Sequence, residues 1–219
     1  MKIMVSGLFT AESIKAATAA GADCTGLVFN ARSEHNVTMA PTMAGIIPDR
    51  AGMTEPLNNL TAGIFTDEMP QNVITRVANY RLDMVLLDGD EQPTIIRNMQ
   101  RTIVPDIRQG VKFWKTIRSG NSFSTDTYRK YDDCVDGYVL KPYSTPAPQQ
   151  QDDRGWSIVE TYRGSLPIIV SVQSGMVREA VKRLTNMSIT RLWGIDIDTS
   201  HDEHTDMDSL CDELRHLKG

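Results

Sequence analysis

Residues 2–29, KIMVSGLFTAESIKAATAAGADCTGLVF, read as strand, loop, helix and strand. Lys2 to Ser6 is a short apolar run closed by Ser6-Gly7, and Thr10 offers an N-cap hydroxyl to an Ala-rich helical stretch that stops at Gly21. Thr25 to Phe29 is the next apolar run. The unit then repeats. Runs at Leu60–Phe65, Met84–Leu87, Val111–Ile117, Gly137–Leu140, Pro167–Val172 and Leu192–Ile197 bring the strands to eight. Each is followed by a helix or a gap long enough for one. Helices are expected near Pro41–Ile47, Pro70–Tyr80, Pro93–Ile103, Val177–Leu184 and Asp206–Leu217. Strands alternating with helices demand a parallel sheet, and eight of them within 219 residues favour a closed (β/α)8 TIM barrel, read here as one domain over 1–219. The competing architecture is an open flavodoxin-like or Rossmann sheet, but no GxGxxG follows the first strand.

Composition excludes several classes of function. Hydrophobic residues make up 40% and charged residues 23%, a balance that supports a folded core. With 28 acidic against 23 basic residues the net charge is -5, which leaves no positive excess to neutralise a phosphate backbone, so no nucleic-acid partner is expected. Cys24, Cys134 and Cys211 are far apart and lack CxxC spacing, so reduced thiols are expected instead of disulfides or a zinc knuckle. No run approaches the roughly 20 apolar residues of a membrane span, and no signal peptide opens the chain; a cytoplasmic protein with no membrane partner is the expectation. Oligomeric state cannot be read from the sequence.

Five strings stand in order and in register: Lys2-Ile3 through Leu8, Ala20 to Asp23, Gly26 to Phe29, Gly63-Ile64-Phe65, and Leu87-Asp88-Gly89-Asp90-Glu91. With Lys115, Trp156-Ser157 and Gly194-Ile195-Asp196 they resemble the phosphoribosylanthranilate isomerase family of tryptophan biosynthesis over nearly the whole chain. The resemblance implies an Amadori rearrangement of an aminoaldose phosphate to an aminoketose phosphate, with no cofactor and no metal. It also implies a catalytic cysteine closing the first strand and a catalytic aspartate ending the sixth. Here those positions are Ser6 and Lys141. A serine hydroxyl is too weak an acid to replace a thiolate unaided, and a lysine reverses the charge of the expected acid.

Substrate-holding positions implied by the resemblance are altered too. His35 stands where an arginine would hold a carboxylate. Ser171, Val172 and Gln173 replace the small residues of the phosphate loop after strand seven, and Asp198-Thr199-Ser200 replaces its partner after strand eight. Val172 is expected to block backbone access to an anion, and Asp198 to repel it unless it pairs with a cation such as Arg178. Asp196 stands at an aspartate position of the family. The candidate substrate-binding set is therefore His35, Asp88, Asp196, Gln173, Asp198 and Ser200, for a small-molecule ligand of sugar-phosphate type.

Acidic residues gather at the expected strand ends: Asp88, Asp90 and Glu91 after the fourth, Asp196 and Asp198 at the eighth, with His201 and His204 nearby. Such a cluster permits a hard-metal or acid/base site, and solvated loop charge is the plainer reading. Lys141 or Lys115, if desolvated, would be an amine of lowered pKa able to form a Schiff base; a salt bridge or a snorkelling side chain is the structural alternative. Ser6 has no recognisable Ser/His/Asp surroundings in the sequence. Three functions follow: a degenerate isomerase-like barrel, an active isomerase using replacement groups such as Lys141, or different carbonyl or phosphosugar chemistry through Lys141.

Overall fold

The computed structural model describes residues 1–38, 59–119, 125–142, 153–187, 189–200 and 206–218. Eight strands, β1 (Lys2–Ser6), β2 (Cys24–Val28), β3 (Leu60–Phe65), β4 (Met84–Leu87), β5 (Lys112–Arg118), β6 (Gly137–Lys141), β7 (Ile168–Gln173) and β8 (Leu192–Asp198), form a closed parallel barrel in sequential order. Closure runs through β1, where Ser6 stands opposite Gly26 of β2 on one side and Asp198 of β8 on the other. The open-sheet alternative is thereby excluded.

The helices are α1 (Ala11–Ala19), α2 (Pro70–Tyr80), α3 (Pro93–Thr102), α4 (Thr125–Arg129), α5 (Ser157–Glu160), α6 (Val177–Asn186) and α7 (Met207–Lys218). Thr10 caps α1, its Oγ1 accepting from Ser13 N at 3.2 Å, and Gly21 just beyond the helix takes a positive φ of 109°. α2 and α3 each place a proline in the first turn, where its missing N–H costs no helical hydrogen bond. The one-turn helices α4 and α5 carry too few residues to show a helical period. The helix expected near 41–47 lies outside the described residues. No helix among the described residues is long and apolar enough to cross a membrane.

Alternation along each strand separates two cores. Ile3, Val5, Leu27, Val85, Phe113, Val170 and Ile195 face the helical layer, whereas Met4, Cys24, Ala62, Met84, Leu86, Trp114, Val139 and Ile169 fill the lumen. Higher up, the inward positions of β1, β5, β6, β7 and β8 turn polar at Ser6, Thr116, Lys141, Ser171 and Asp196, and the lumen opens into the candidate site.

Lys115 belongs to the outer side. Its ammonium donates to the carbonyls of Leu87 (3.0 Å), Gly89 (2.5 Å) and Thr116 (3.2 Å), lies 3.3 Å from Glu91 and sits over the Tyr131 ring. Glu91 in turn accepts from the backbone N–H groups of Asp67 and Gly89. Lys115 is thus a strut that ties the β4 loop to β5, and its amine is taken up by structure. Removing one partner of such a buried pair strands the other, at about 3–5 kcal/mol. We expect Lys115→Met to lower unfolding free energy by that order in urea titration, and Lys115→Met combined with Glu91→Gln to cost clearly less than the sum of the single changes.

Candidate active site

The polar layer begins with Ser6, which follows Met4 on the inward face of β1. Its Oγ donates to Asp196 Oδ2 at 3.1 Å, and Ser171 Oγ donates to the same oxygen at 2.7 Å. Asp196 is 2% exposed. Burial, reinforced by the charge of Asp198, pushes its carboxyl up to about 7 despite the opposing effects of Lys141, Ser171 and Ser6. One layer higher, Asp198 Oδ2 accepts from Lys141 at 3.1 Å, while Oδ1 accepts from Ser200 N at 3.0 Å and Ser200 Oγ at 2.5 Å. Burial alone would favour a neutral Asp198, but the ammonium and the two serine donors outweigh it and hold the carboxyl well below the usual range.

The Lys141 ammonium has two carboxylates near it, Asp198 Oδ2 at 3.1 Å and Asp88 Oδ1 at 4.0 Å. Burial disfavours its charge, yet Asp198 and Asp88 together raise its pKa above the ordinary value. Of the two readings of Lys141, the salt bridge is the one found: a desolvated lysine becomes neutral only when nothing compensates its charge, and here two carboxylates do. Arg118, the inward residue that ends β5, donates to Asp88 Oδ2 at 2.6 Å.

Ser6, Asp88, Arg118, Lys141, Asp198 and Ser200 line a cavity of about 450 Å³ at the C-terminal ends of the strands, together with Arg32 and His35 from the segment after β2. A carbonyl has no proton to give, so the 2.6 Å contact between His35 Nδ1 and the Gly7 carbonyl requires the proton to sit on Nδ1. Gly7 takes a φ of 88°, and a Cβ there would lie 2.5 Å from Ser200 N. Glycine is what lets the β1 and β8 loops meet.

Of the candidate residues, Ser6, His35, Asp88, Lys141, Asp198 and Ser200 line this cavity. Asp196 lies beneath it. Gln173, which stands opposite Asp198 in the strand register, is not among the lining residues. Val172 is buried in the outer core and does not obstruct the loop, because alternation sends Ser171 inward and Val172 toward the helices. The cation that meets Asp198 is Lys141, not Arg178. Ser6 does have an acid partner, Asp196, which sequence distance concealed. The acidic cluster divides: Asp88 faces the cavity, Asp90 is exposed and Glu91 braces Lys115. His201 and His204 lie outside the described residues, and among the described residues no three His, Cys, Asp or Glu side chains converge as a metal site. Arg32 and Arg118 line the cavity and were not read as site residues; counting alternate positions along β5 would have found Arg118.

The fold and site together define a (β/α)8 barrel with a charged pocket at the C-terminal ends of its strands, where barrels of this class carry their sites. No family model matches the chain. It is 28% identical over 202 residues to N-(5'-phosphoribosyl)anthranilate isomerase of Geobacter sulfurreducens, covering 90% of this chain and 89% of the relative. The same-named protein of Parabacteroides distasonis is 23% identical over 199 residues, covering 91% and 84%. Phosphoribosyl anthranilate isomerase from Thermotoga maritima superposes with a TM-score of 0.74 at 19% identity, covering 100% of this chain and 99% of that one. At these identities the chain is divergent from the phosphoribosylanthranilate isomerases that it resembles over most of its length.

Asp196 gives this site a pH signature. An unfolded chain ionises that carboxyl near 3.8, the folded chain near 7, so its contribution is fully favourable below about pH 4 and is lost as pH rises through 7. We expect Asp196→Asn, whose side-chain oxygen can still accept from Ser6 and Ser171, to flatten the fall in stability between pH 4 and 7 measured by denaturant titration. An unchanged slope in the variant would rule out Asp196 as its source.

Proposed function

We propose that this barrel retains a small-molecule pocket at the family's position but no longer performs the family's Amadori rearrangement. The observation that carries the reading is the closure of Lys141 onto Asp198. At the position where the resemblance implies a proton-donating aspartate stands an ammonium held by two carboxylates, at 3.1 and 4.0 Å. A group stabilised in its protonated form is a poor proton donor at neutral pH. At the position of the base, Ser6 is itself a donor to Asp196.

The same carboxylate argues against a phosphorylated ligand. In helix-terminal and loop phosphate sites the anion is met by backbone N–H groups and small hydroxyls. Here the N–H and O–H of Ser200 are taken by Asp198 Oδ1, so an internal anion occupies the donors that a phosphate would need. One structural neighbour, 19% identical with a TM-score of 0.71, was solved with reduced 1-(o-carboxyphenylamino)-1-deoxyribulose 5-phosphate. That supports a small ligand in this barrel's mouth, while the Asp198–Ser200 contacts favour one without the phosphate.

Two measurements test the reading. Purified protein is expected to convert phosphoribosylanthranilate no faster than buffer, followed by anthranilate fluorescence, and to leave a tryptophan auxotroph lacking this isomerase without growth. Turnover on the order of 1–10³ s⁻¹ would overturn it. Ser6→Cys with Lys141→Asp is expected to restore little, because the phosphate-holding groups are also changed. In calorimetry, ribose 5-phosphate is expected to bind the wild type weakly and Asp198→Asn more tightly, because neutralising Asp198 leaves the charge of Lys141 free for an anion. Micromolar binding to the wild type, unchanged in the variant, would mean that the phosphate site is intact.

A further inference from the structure

Oδ1 of Asp88 is buried without a hydrogen-bond partner among the described residues, and the ring of His35 is hydrogen-bonded through Nδ1. Both residues line the same cavity as the Lys141 ammonium. We propose that His35 is the proton-transferring residue of this site and that its substrate is a small, unphosphorylated α-hydroxycarbonyl compound. The inference rests on the reading above only in taking the Ser200 donors as occupied; the role of His35 stands or falls separately.

His35 is built as a base. With the proton fixed on Nδ1 by the Gly7 carbonyl at 2.6 Å, Nε2 keeps the lone pair. The ring is buried and packs edge-on against Phe9, with centroids 5.1 Å apart at 87°. Its backbone is equally fixed: His35 N donates to Ser33 Oγ at 3.2 Å, Asn36 N to Ser33 O at 3.1 Å, and Val37 N to Val28 O at 3.0 Å. A side chain held from both sides at a cavity wall, with the lone pair on its other nitrogen, is the arrangement that general acid–base catalysis requires.

The remaining groups match a hydroxycarbonyl compound. A substrate hydroxyl can donate to Asp88 Oδ1, which is buried and needs a donor. Nε2 removes the C–H proton next to the carbonyl, the C–H electron pair becomes the carbon–carbon π bond of an enediolate, and the carbonyl π pair moves onto oxygen. The Lys141 ammonium, kept charged by Asp198 and Asp88, stabilises that oxygen. The imidazolium then returns the proton. Return to the same carbon is exchange with solvent; return to the neighbouring carbon, with the hydroxyl proton passing between the two oxygens, interconverts aldose and ketose. No oxidant, reductant or co-reactant enters.

The test uses the full chain in deuterium oxide with dihydroxyacetone, glyceraldehyde and ribulose as probes, and follows proton NMR signals at the carbons flanking the carbonyl. Wild type is expected to exchange at least one probe faster than buffer. His35→Asn keeps an amide nitrogen able to donate to the Gly7 carbonyl but has no counterpart of Nε2; it is expected to melt like wild type and to exchange about 10²–10⁴-fold more slowly. His35→Ala is expected to regain exchange in proportion to added imidazole, a response that a purely structural histidine would not give. Exchange no faster than buffer for every probe, or a wild-type rate in His35→Asn, would overturn the proposal. Turnover of phosphoribosylanthranilate by wild type and His35→Asn alike would instead overturn the preceding reading.

Discussion

In a closed parallel barrel every second side chain points into a lumen whose width is set by the strands, and no loop can carry it elsewhere. Near the middle of this barrel the constraint is met with apolar side chains from β1 to β7, with Trp193 of β8 packed against them beside Gly194. Above them the inward positions carry Asp196, Asp198, Lys141 and Asp88. Charges confined in that way have to neutralise one another. The Lys141–Asp198 pair does so, leaving Asp196 as the carboxyl that is easiest to keep protonated.

The same pair reaches into the loops. Asp198 holds Ser200, and Thr199 bonds the Ser6 carbonyl through both its N–H and its Oγ1. Gly7 admits the close approach of Ser200 and presents its carbonyl to His35. Three segments that are distant in sequence, the ends of β1 and β8 and the turn after β2, are thus fixed by hydrogen bonds that start at one buried carboxylate. Rigidity of this kind suits a site whose chemistry depends on the placement of single protons.

The fold was legible because its signal is repetitive: short apolar runs separated by helix-length gaps, eight times. Strand boundaries moved by only a residue, with β2 starting at Cys24 and β7 ending at Gln173. The site was legible in part. Strand-end position brought Ser6, Asp88, Lys141 and Asp198 to attention, since alternation puts a strand's last inward residue at the cavity. Partnerships were hidden. Nothing local to Ser6 announces Asp196, 190 residues away, and the charge state of Lys141 depends on which of several cations reaches Asp198. Val172 was misread for a related reason: aligning a loop by residue identity ignores the pleat, which decides on which side of the sheet each residue stands. Lys115 shows the converse. A lysine on an inner barrel strand looks like a site residue, but its parity sends it outward to Glu91.

The Lys141–Asp198 contact also limits the paths by which this sequence could have departed from a barrel with an aspartate at position 141. Two carboxylates facing each other there, or a lysine without its partner, would each strand an uncompensated charge in a buried layer, at about 3–5 kcal/mol. That is comparable to the entire stability margin of an ordinary domain, about 5–15 kcal/mol. The two positions are therefore strongly epistatic. A lineage could cross between the two states only by changing both together, through a neutral residue at one of them, or from a background stable enough to tolerate the intermediate. Reversion is hindered by the same barrier, so the charge exchange acts as a ratchet on whatever the barrel mouth now binds.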